Sequence, residues 1–343
     1  MSGERGPPPA HPGKVIENKL SAGDAVSPGE AVTEAKGEDL PELRTDCTLT
    51  LPDGRILGYA DYGARDGVPI IGLHGTPGSR RMFEIAHPVA ARLNIRLLAP
   101  ERPGFGLSSY KAGRDLACYA HDIRAFADAL GISRFAVAGV SGGGPYAVAC
   151  AALLPDRVSA LGLVSPVGPM AGNEKPASIG PGHAFAFRYA PRIMPLMALA
   201  FSIGRLAFLY APNLIFGFLL SRASPSDWAI LSRGEIRRNL IRGVAEGCRP
   251  GIRASLQEMR LFSRPWELPL DAIRPPVFLW QGLSDRNVPV SAALRLGELI
   301  GTCRVTRIPN AGHYWIFDNI PTVLETLRDA QAAPATGTDK PPS

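Results

Sequence analysis

The chain has 343 residues with 45 % hydrophobic content, ample for one large α/β domain carrying an insertion. Its formal charge of +6 is uneven: residues 1–46 hold five Lys/Arg against nine Asp/Glu, and residues 171–262 hold twelve against five. The basic character therefore belongs to one segment, which without any nucleic-acid motif reads as a solvated basic helix face, and no nucleic-acid partner is expected. The cysteines (Cys47, Cys118, Cys150, Cys248, Cys303) are odd in number and lack C-x-x-C spacing, which excludes a disulfide framework and a zinc site and fits free thiols.

Residues 1–42 are rich in Pro, Gly, Ala and Glu, show little apolar periodicity and are expected to be disordered. They contain no apolar stretch of the kind a secretory signal needs, so a cytoplasmic location is the default. Segments 45–51 and 55–59, joined by Pro52-Asp-Gly54, read as an opening hairpin. Val68-Pro-Ile-Ile-Gly-Leu-His74 reads as a strand running into Gly75-Thr-Pro-Gly-Ser79, and a further strand is expected over 95–99. Asp115 is placed to cap a helix whose Leu116, Ile123, Phe126 and Leu130 recur near helical spacing.

The run Phe135-Ala-Val-Ala-Gly-Val-Ser141-Gly-Gly-Gly-Pro-Tyr146 is a strand, a tight turn and a helix start. A serine on such a turn is presented as a nucleophile, and small flanking residues are needed because a side chain at 139 or 143 would collide with the neighbouring strand or helix. Pro145 is tolerable in a first helical turn, where its missing N–H is no loss. By itself the five-residue pattern Gly139–Gly143 is weak, since a glycine-rich chain generates it readily. Partners in the right chain order decide its meaning.

After a strand over 158–164, the alternation of strands and helices stops near Val167 and resumes near Arg264. The intervening residues read as helical and very apolar, notably 193–204 and 206–220, and are taken as a cap over the site with a greasy wall for substrate. Pro195, Arg205 and Pro212 interrupt the apolar run, so neither charge-free piece reaches the roughly 20 residues of a membrane span. Contact with a membrane surface, apolar side chains lying beside Arg237, Arg238 and Arg242, is the alternative.

Strands over 277–281 and 304–308 complete a sheet. Asp285 lies on the loop leaving the first, His313 on the loop leaving the second. Serine, carboxylate, histidine is the order of an α/β-hydrolase-type site, each on a loop after a strand. His313 could take the proton of Ser141 through one ring nitrogen while donating to Asp285 through the other. A loop aspartate is more often solvated and paired with a neighbour, here Arg286, and a loop histidine is more often a surface residue. The other histidines fit worse: His11 is in a tail, His74 in the upstream glycine loop, and His87, His121 and His183 precede or interrupt helical stretches. Glu174 is a weaker alternative acid. A tetrahedral intermediate also needs two N–H donors. Gly142 at its helix N-terminus and Thr76, held by the fixed φ of Pro77, are the candidates for this oxyanion hole.

With these residues in view the chain resembles the α/β-hydrolase-fold serine hydrolases that carry an H-G-x-P oxyanion loop. The resemblance covers about residues 45–332, through His74-Gly-Thr-Pro77, Arg102-Pro-Gly-Phe-Gly-Leu-Ser108, Gly139-Val-Ser-Gly-Gly143, Gly282-Leu-Ser-Asp285 and Gly312-His313. It departs at Glu101, where family members often have aspartate, a change that touches a structural turn. Related epoxide hydrolases and haloalkane dehalogenases use an aspartate nucleophile, so Ser141 argues against both. Proline iminopeptidases usually carry a bulky residue after the serine and an acidic amine-binding cluster, neither of which is found.

The expectations follow. The fold class is α/β, a mostly parallel twisted sheet with helices on both faces (the α/β-hydrolase fold) and an inserted helical cap. The divisions are a disordered extension over 1–42, the core over 43–168 and 264–332, the cap over 169–263 and a disordered tail over 333–343. The activity is cleavage of a carboxylic ester, or an amide or thioester, with a hydrophobic portion, by Ser141, His313 and Asp285 with Gly142 and Thr76, without metal or organic cofactor. Alternatives are an iminopeptidase-like aminopeptidase and a non-catalytic ligand receptor. The expected partner is a small hydrophobic ester-like substrate.

Overall fold

The computed structural model describes residues 40–178 and 192–332. The extension and tail expected to be disordered therefore lie outside the described residues, except at 40–42, as do His11, His183 and part of the insertion. The opening hairpin forms as β1 (Arg44–Thr50) and β2 (Ile56–Gly63), antiparallel with Leu49 opposite Leu57. The chain then lays down β3 (Val68–Leu73), β4 (Ile95–Pro100), β5 (Phe135–Val140), β6 (Val158–Val164), β7 (Val277–Gly282) and β8 (Cys303–Ile308). Spatially the eight-stranded order is β1-β2-β4-β3-β5-β6-β7-β8. From β4 to β8 every pairing is parallel, while β2 joins β4 antiparallel.

Strands covered on both faces lose the polar alternation of a half-exposed strand, and the central members β5 and β6 are buried almost throughout. Because successive side chains point to opposite faces, each strand feeds two cores. On one face Ile71, Val137, Leu161 and Leu279 meet α2 (Leu116–Ala129), α3 (Gly144–Leu153) and α9 (Val290–Leu299). On the other, Ile70, Ala136, Ala160 and Trp280 meet α1 (His87–Arg92) and α10 (Ile320–Ala332). Asp115 caps α2 as its sequence implies, its Oδ1 accepting from Cys118 N at 2.7 Å.

Between β6 and β7 the described residues form five α-helices, α4 (Met194–Tyr210), α5 (Pro212–Ser221), α6 (Pro225–Leu231), α7 (Gly234–Cys248) and α8 (Arg253–Phe262). Arg205 interrupts the apolar sequence but not the helix. Its guanidinium donates to Cys248 O at 2.8 Å and Arg249 O at 3.0 Å, so its charge is spent on the electronegative end of α7. The break comes instead at Ala211, with Pro195 and Pro212 each sitting in a first helical turn. Helix α7 is seated on the segment after β3: Ser79 Oγ donates to Gly243 O at 2.8 Å, and Arg80 Nη1 bridges Glu246 at 2.8 Å and Glu101 at 2.6 Å. Glu101 also accepts from Leu107 N at 2.6 Å, which closes the turn over residues 101–108.

Candidate active site

Ser141 leaves β5 with φ +52°, in the left-handed region that a non-glycine residue occupies at a cost of about 1–3 kcal/mol and that clusters at functional sites. The turn is possible because its flanks carry no side chain. A Cβ on Gly143 would lie 2.2 Å from Leu73 O, and one on Gly139 would lie 2.7 Å from Ala147 Cβ. The serine is thereby held at the carboxyl end of a central strand, where ligands bind in open α/β sheets.

Asp285 and His313 follow β7 and β8 and meet: His313 Nδ1 lies 2.7 Å from Asp285 Oδ2. The aspartate is fixed by its own loop, with Oδ1 accepting from Asn287 N at 2.8 Å and Val288 N at 3.0 Å. Burial alone would raise the Asp285 pKa, but the charge and hydrogen bond of His313 and these two N–H donors outweigh it and hold it below 3.8. For His313, burial disfavours the imidazolium, and the charge and hydrogen bond of Asp285, joined by the charge of Asp227, outweigh that and leave its pKa above 6.5. Arg286 does not pair with Asp285; its Nη1 donates to Ala223 O at 3.3 Å. With Nδ1–H committed to the carboxylate, the lone pair of Nε2 is left as a proton acceptor.

Ser141 and His313 both line one cavity of about 980 Å³, walled mainly by apolar side chains, including Phe83, Phe201, Phe208, Phe216 and Phe262. Its size is at the upper end of ordinary ligand pockets. The loop after β3 closes one side. A Cβ on Gly75 would lie 3.8 Å from Ser141 Oγ, and one on Gly142 would lie 3.1 Å from Thr76 N. Thr76 and Gly142 are thus brought together beside the serine hydroxyl. His74 is buried with Nδ1 2.8 Å from Gly75 O, and burial drives its pKa well below 6.5; Glu174 does not line the cavity.

Two acids of the insertion, which sequence reasoning missed, hold the loops of this site. Asp227, in the first turn of α6, accepts from His313 N at 3.0 Å through Oδ2 and from Tyr314 N at 2.8 Å through Oδ1. Its fit requires Gly312, because a Cβ there would come within 2.1 Å of Asp227 Oδ2. Glu258, on α8, is fully buried and accepts from Arg102 Nε at 2.5 Å, Arg102 Nη2 at 3.1 Å, Arg114 Nη2 at 3.1 Å and Thr76 Oγ1. Arg102 in turn donates to His74 O and, at 3.1 Å, to Gly75 O. Burial works against the charged Glu258, but Arg102 and Arg114 outweigh it and hold its pKa down at about 2. Among the described residues, no group of three or more His, Cys, Asp or Glu side chains is assembled to hold a metal ion.

A family model described as alpha/beta hydrolase fold matches residues 68–320. The chain is 35 % identical over 131 residues to a non-heme chloroperoxidase of Streptomyces lividans, covering 36 % of this chain and 45 % of that one, so it spans less than half the length of that relative. It is 29 % identical over 264 residues to haloalkane dehalogenase 2 of Mycobacterium tuberculosis, covering 76 % of this chain and 86 % of the relative. Among solved structures it is similar to an esterase, RhEst1, from a Rhodococcus species, with a TM-score of 0.61 at 21 % identity, covering 84 % of this chain and 99 % of that chain.

Proposed function

The chain belongs to the alpha/beta hydrolase fold family, and we propose that it is a serine hydrolase cleaving carboxylic esters with a hydrophobic portion. Ser141 Oγ attacks the ester carbonyl while His313 Nε2 takes its proton. The tetrahedral oxyanion is received by the backbone N–H groups of Gly142 and Thr76. As the intermediate collapses, the C–O bond to the leaving alcohol breaks and His313 returns the proton to that alcohol. His313 then removes a proton from water, which attacks the acyl carbonyl; the bond from that carbon to Ser141 Oγ breaks, His313 returns the proton to Oγ and the acid is released. Asp285 keeps the imidazole in the Nδ1–H tautomer and stabilises its charged form.

The observation that carries this reading is the His313–Asp285 contact at 2.7 Å on a histidine that shares an apolar cavity with the serine. An aminopeptidase reading would need a free carboxylate to receive the substrate amine. The one carboxylate in the cavity lining, among the described residues, is Asp227, and both of its oxygens already accept backbone N–H groups. The test is hydrolysis of p-nitrophenyl butyrate together with labelling by a fluorophosphonate. Ser141→Ala should abolish both; retained turnover would remove the serine mechanism.

A further inference from the structure

The insertion turns apolar side chains outward as well as inward. On α4 the residues Leu196, Leu199, Ile203, Leu206 and Tyr210 recur at steps of three and four, and each is between 49 % and 81 % exposed. Such spacing puts them on one face of the helix, a stripe of about 21 Å. Past the bend, α5 extends the surface with Leu214 at 77 % and Phe218 at 57 % exposure. A hollow of about 530 Å³, lined by residues of both helices, lies in their crook. Exposed apolar side chains in this number on two adjoining helices mark an interaction site.

Charge selects the occupant. Residues 192–262 hold ten arginines against four acidic residues. Arg237 donates to Asn213 of α5 at 3.0 Å and lies over the ring of Phe216, and Arg222 closes the end of α5. Among the described residues neither Arg222 nor Arg238 has an acidic partner. A second copy meeting this face across a twofold axis would set one basic surface against another. An anionic bilayer supplies both a hydrocarbon phase for the stripe and charge for the arginines. Among the described residues no single helix is long and apolar enough to cross that bilayer; α4 and α5 reach the needed length and apolarity only together, and they are bent by 119° at their junction. Their inward faces are also occupied, with Phe201, Phe208 and Phe216 lining the cavity.

We propose that the α4–α5 face lies on an anionic phospholipid surface, and that the cavity takes its hydrophobic ester from that surface. The second half rests on the serine hydrolase reading; the first does not. The test is co-sedimentation of the full chain with vesicles of phosphatidylcholine alone, or of phosphatidylcholine with about a third phosphatidylglycerol. The variants are Leu199→Ser with Ile203→Ser, and Leu214→Ser with Phe218→Ser, none of which lines the cavity. Binding should be at least about tenfold stronger on the anionic vesicles and weaken with added salt. Each double variant should lose about tenfold or more in binding. Both should hydrolyse soluble p-nitrophenyl butyrate at the unaltered rate while losing about tenfold on an ester embedded in the anionic vesicles. Equal binding by the variants, or no binding by the parent chain, overturns docking, as does a dimer that the double variants dissolve. Vesicle binding without hydrolysis of either ester would leave docking standing and sink the serine reading instead.

Discussion

The interaction with the largest consequence is the carboxylate of Glu258, and Glu258→Gln removes its charge while keeping its shape. The fall of its pKa from an ordinary 4.5 to about 2 corresponds to about 3 kcal/mol in favour of the ionised form. Gln also leaves Arg102 and Arg114, both buried, without the anion they share, a situation that costs about 3–5 kcal/mol. The variant should therefore unfold in urea with a stability lower by about 3–5 kcal/mol. Because the pKa is depressed in the folded protein, the contribution is present above pH 4.5 and disappears as the pH falls from 4.5 toward 2. The gap between the two proteins should narrow over that window. Thr76, Gly75 and His74 are held by the same network, so loosening them should lower kcat, by up to roughly a hundredfold if one oxyanion donor is lost, with little change in KM. A variant within about 1 kcal/mol of the parent at pH 7, with unaltered kcat, would refute the assignment of Glu258 as the residue that positions the oxyanion loop.

The proposed mechanism needs His313 neutral, and its pKa lies above 6.5, so kcat/KM for p-nitrophenyl butyrate should fall on the acid side with a midpoint above 6.5. Asp285→Asn removes the main contribution that raises that pKa. It should shift the midpoint downward and lower kcat by about ten-thousand-fold, through loss of the tautomer; an unshifted pH profile would contradict the pairing. Asp227→Asn keeps the volume but turns an amide NH₂ toward one of the two N–H donors, His313 N or Tyr314 N. A cost of about 2–4 kcal/mol in urea unfolding, with kcat reduced and KM nearly constant, is the expected outcome. Gly312→Ala should reproduce that kcat loss, since its methyl group meets the same carboxylate, and an alanine variant with full kcat would count against Asp227 as a positioning residue.

The sheet was legible because its central strands are short apolar runs bounded by glycine and proline, a pattern set by burial on both faces. Ser141, Asp285 and His313 stand out for a related reason: each follows a strand that could be read. The residues that hold them are concealed by distance. Glu258 lies 156 residues from Arg102 and Asp227 lies 86 from His313, and one sequence carries no record of such pairings. Asp227 follows Ser224 by three positions and reads as an ordinary helix-capping acid, since it does donate its N–H to Ser224 Oγ at 3.2 Å. Glu258 did leave a trace. It falls four residues after Ala254 and four before Phe262, all three buried, so an acid occupies the apolar stripe of an amphipathic helix. A buried charge of that kind demands partners.

These two acids make the insertion part of the site as well as a wall of its cavity. Helix α6 holds the loop of His313 through Asp227, and α8 holds the loop after β3 through Glu258. Helix α4, which carries the outward apolar stripe, packs against both α7 and α8. Cutting the insertion away should therefore not leave a smaller, less selective hydrolase. If residues 171–262 are replaced by a short glycine–serine linker, Arg102 and Arg114 lose their shared carboxylate, and His313 N and Tyr314 N lose their acceptor. The expected product is a destabilised sheet, and fluorophosphonate labelling of Ser141 should fall along with turnover. A wall that merely selected substrates would behave differently, because its removal would open the cavity and leave labelling intact or faster. A linker variant that folds and labels at the parental rate would show that β3, β5, β7 and β8 position the chemistry unaided, and the two clasps would then be ordinary packing.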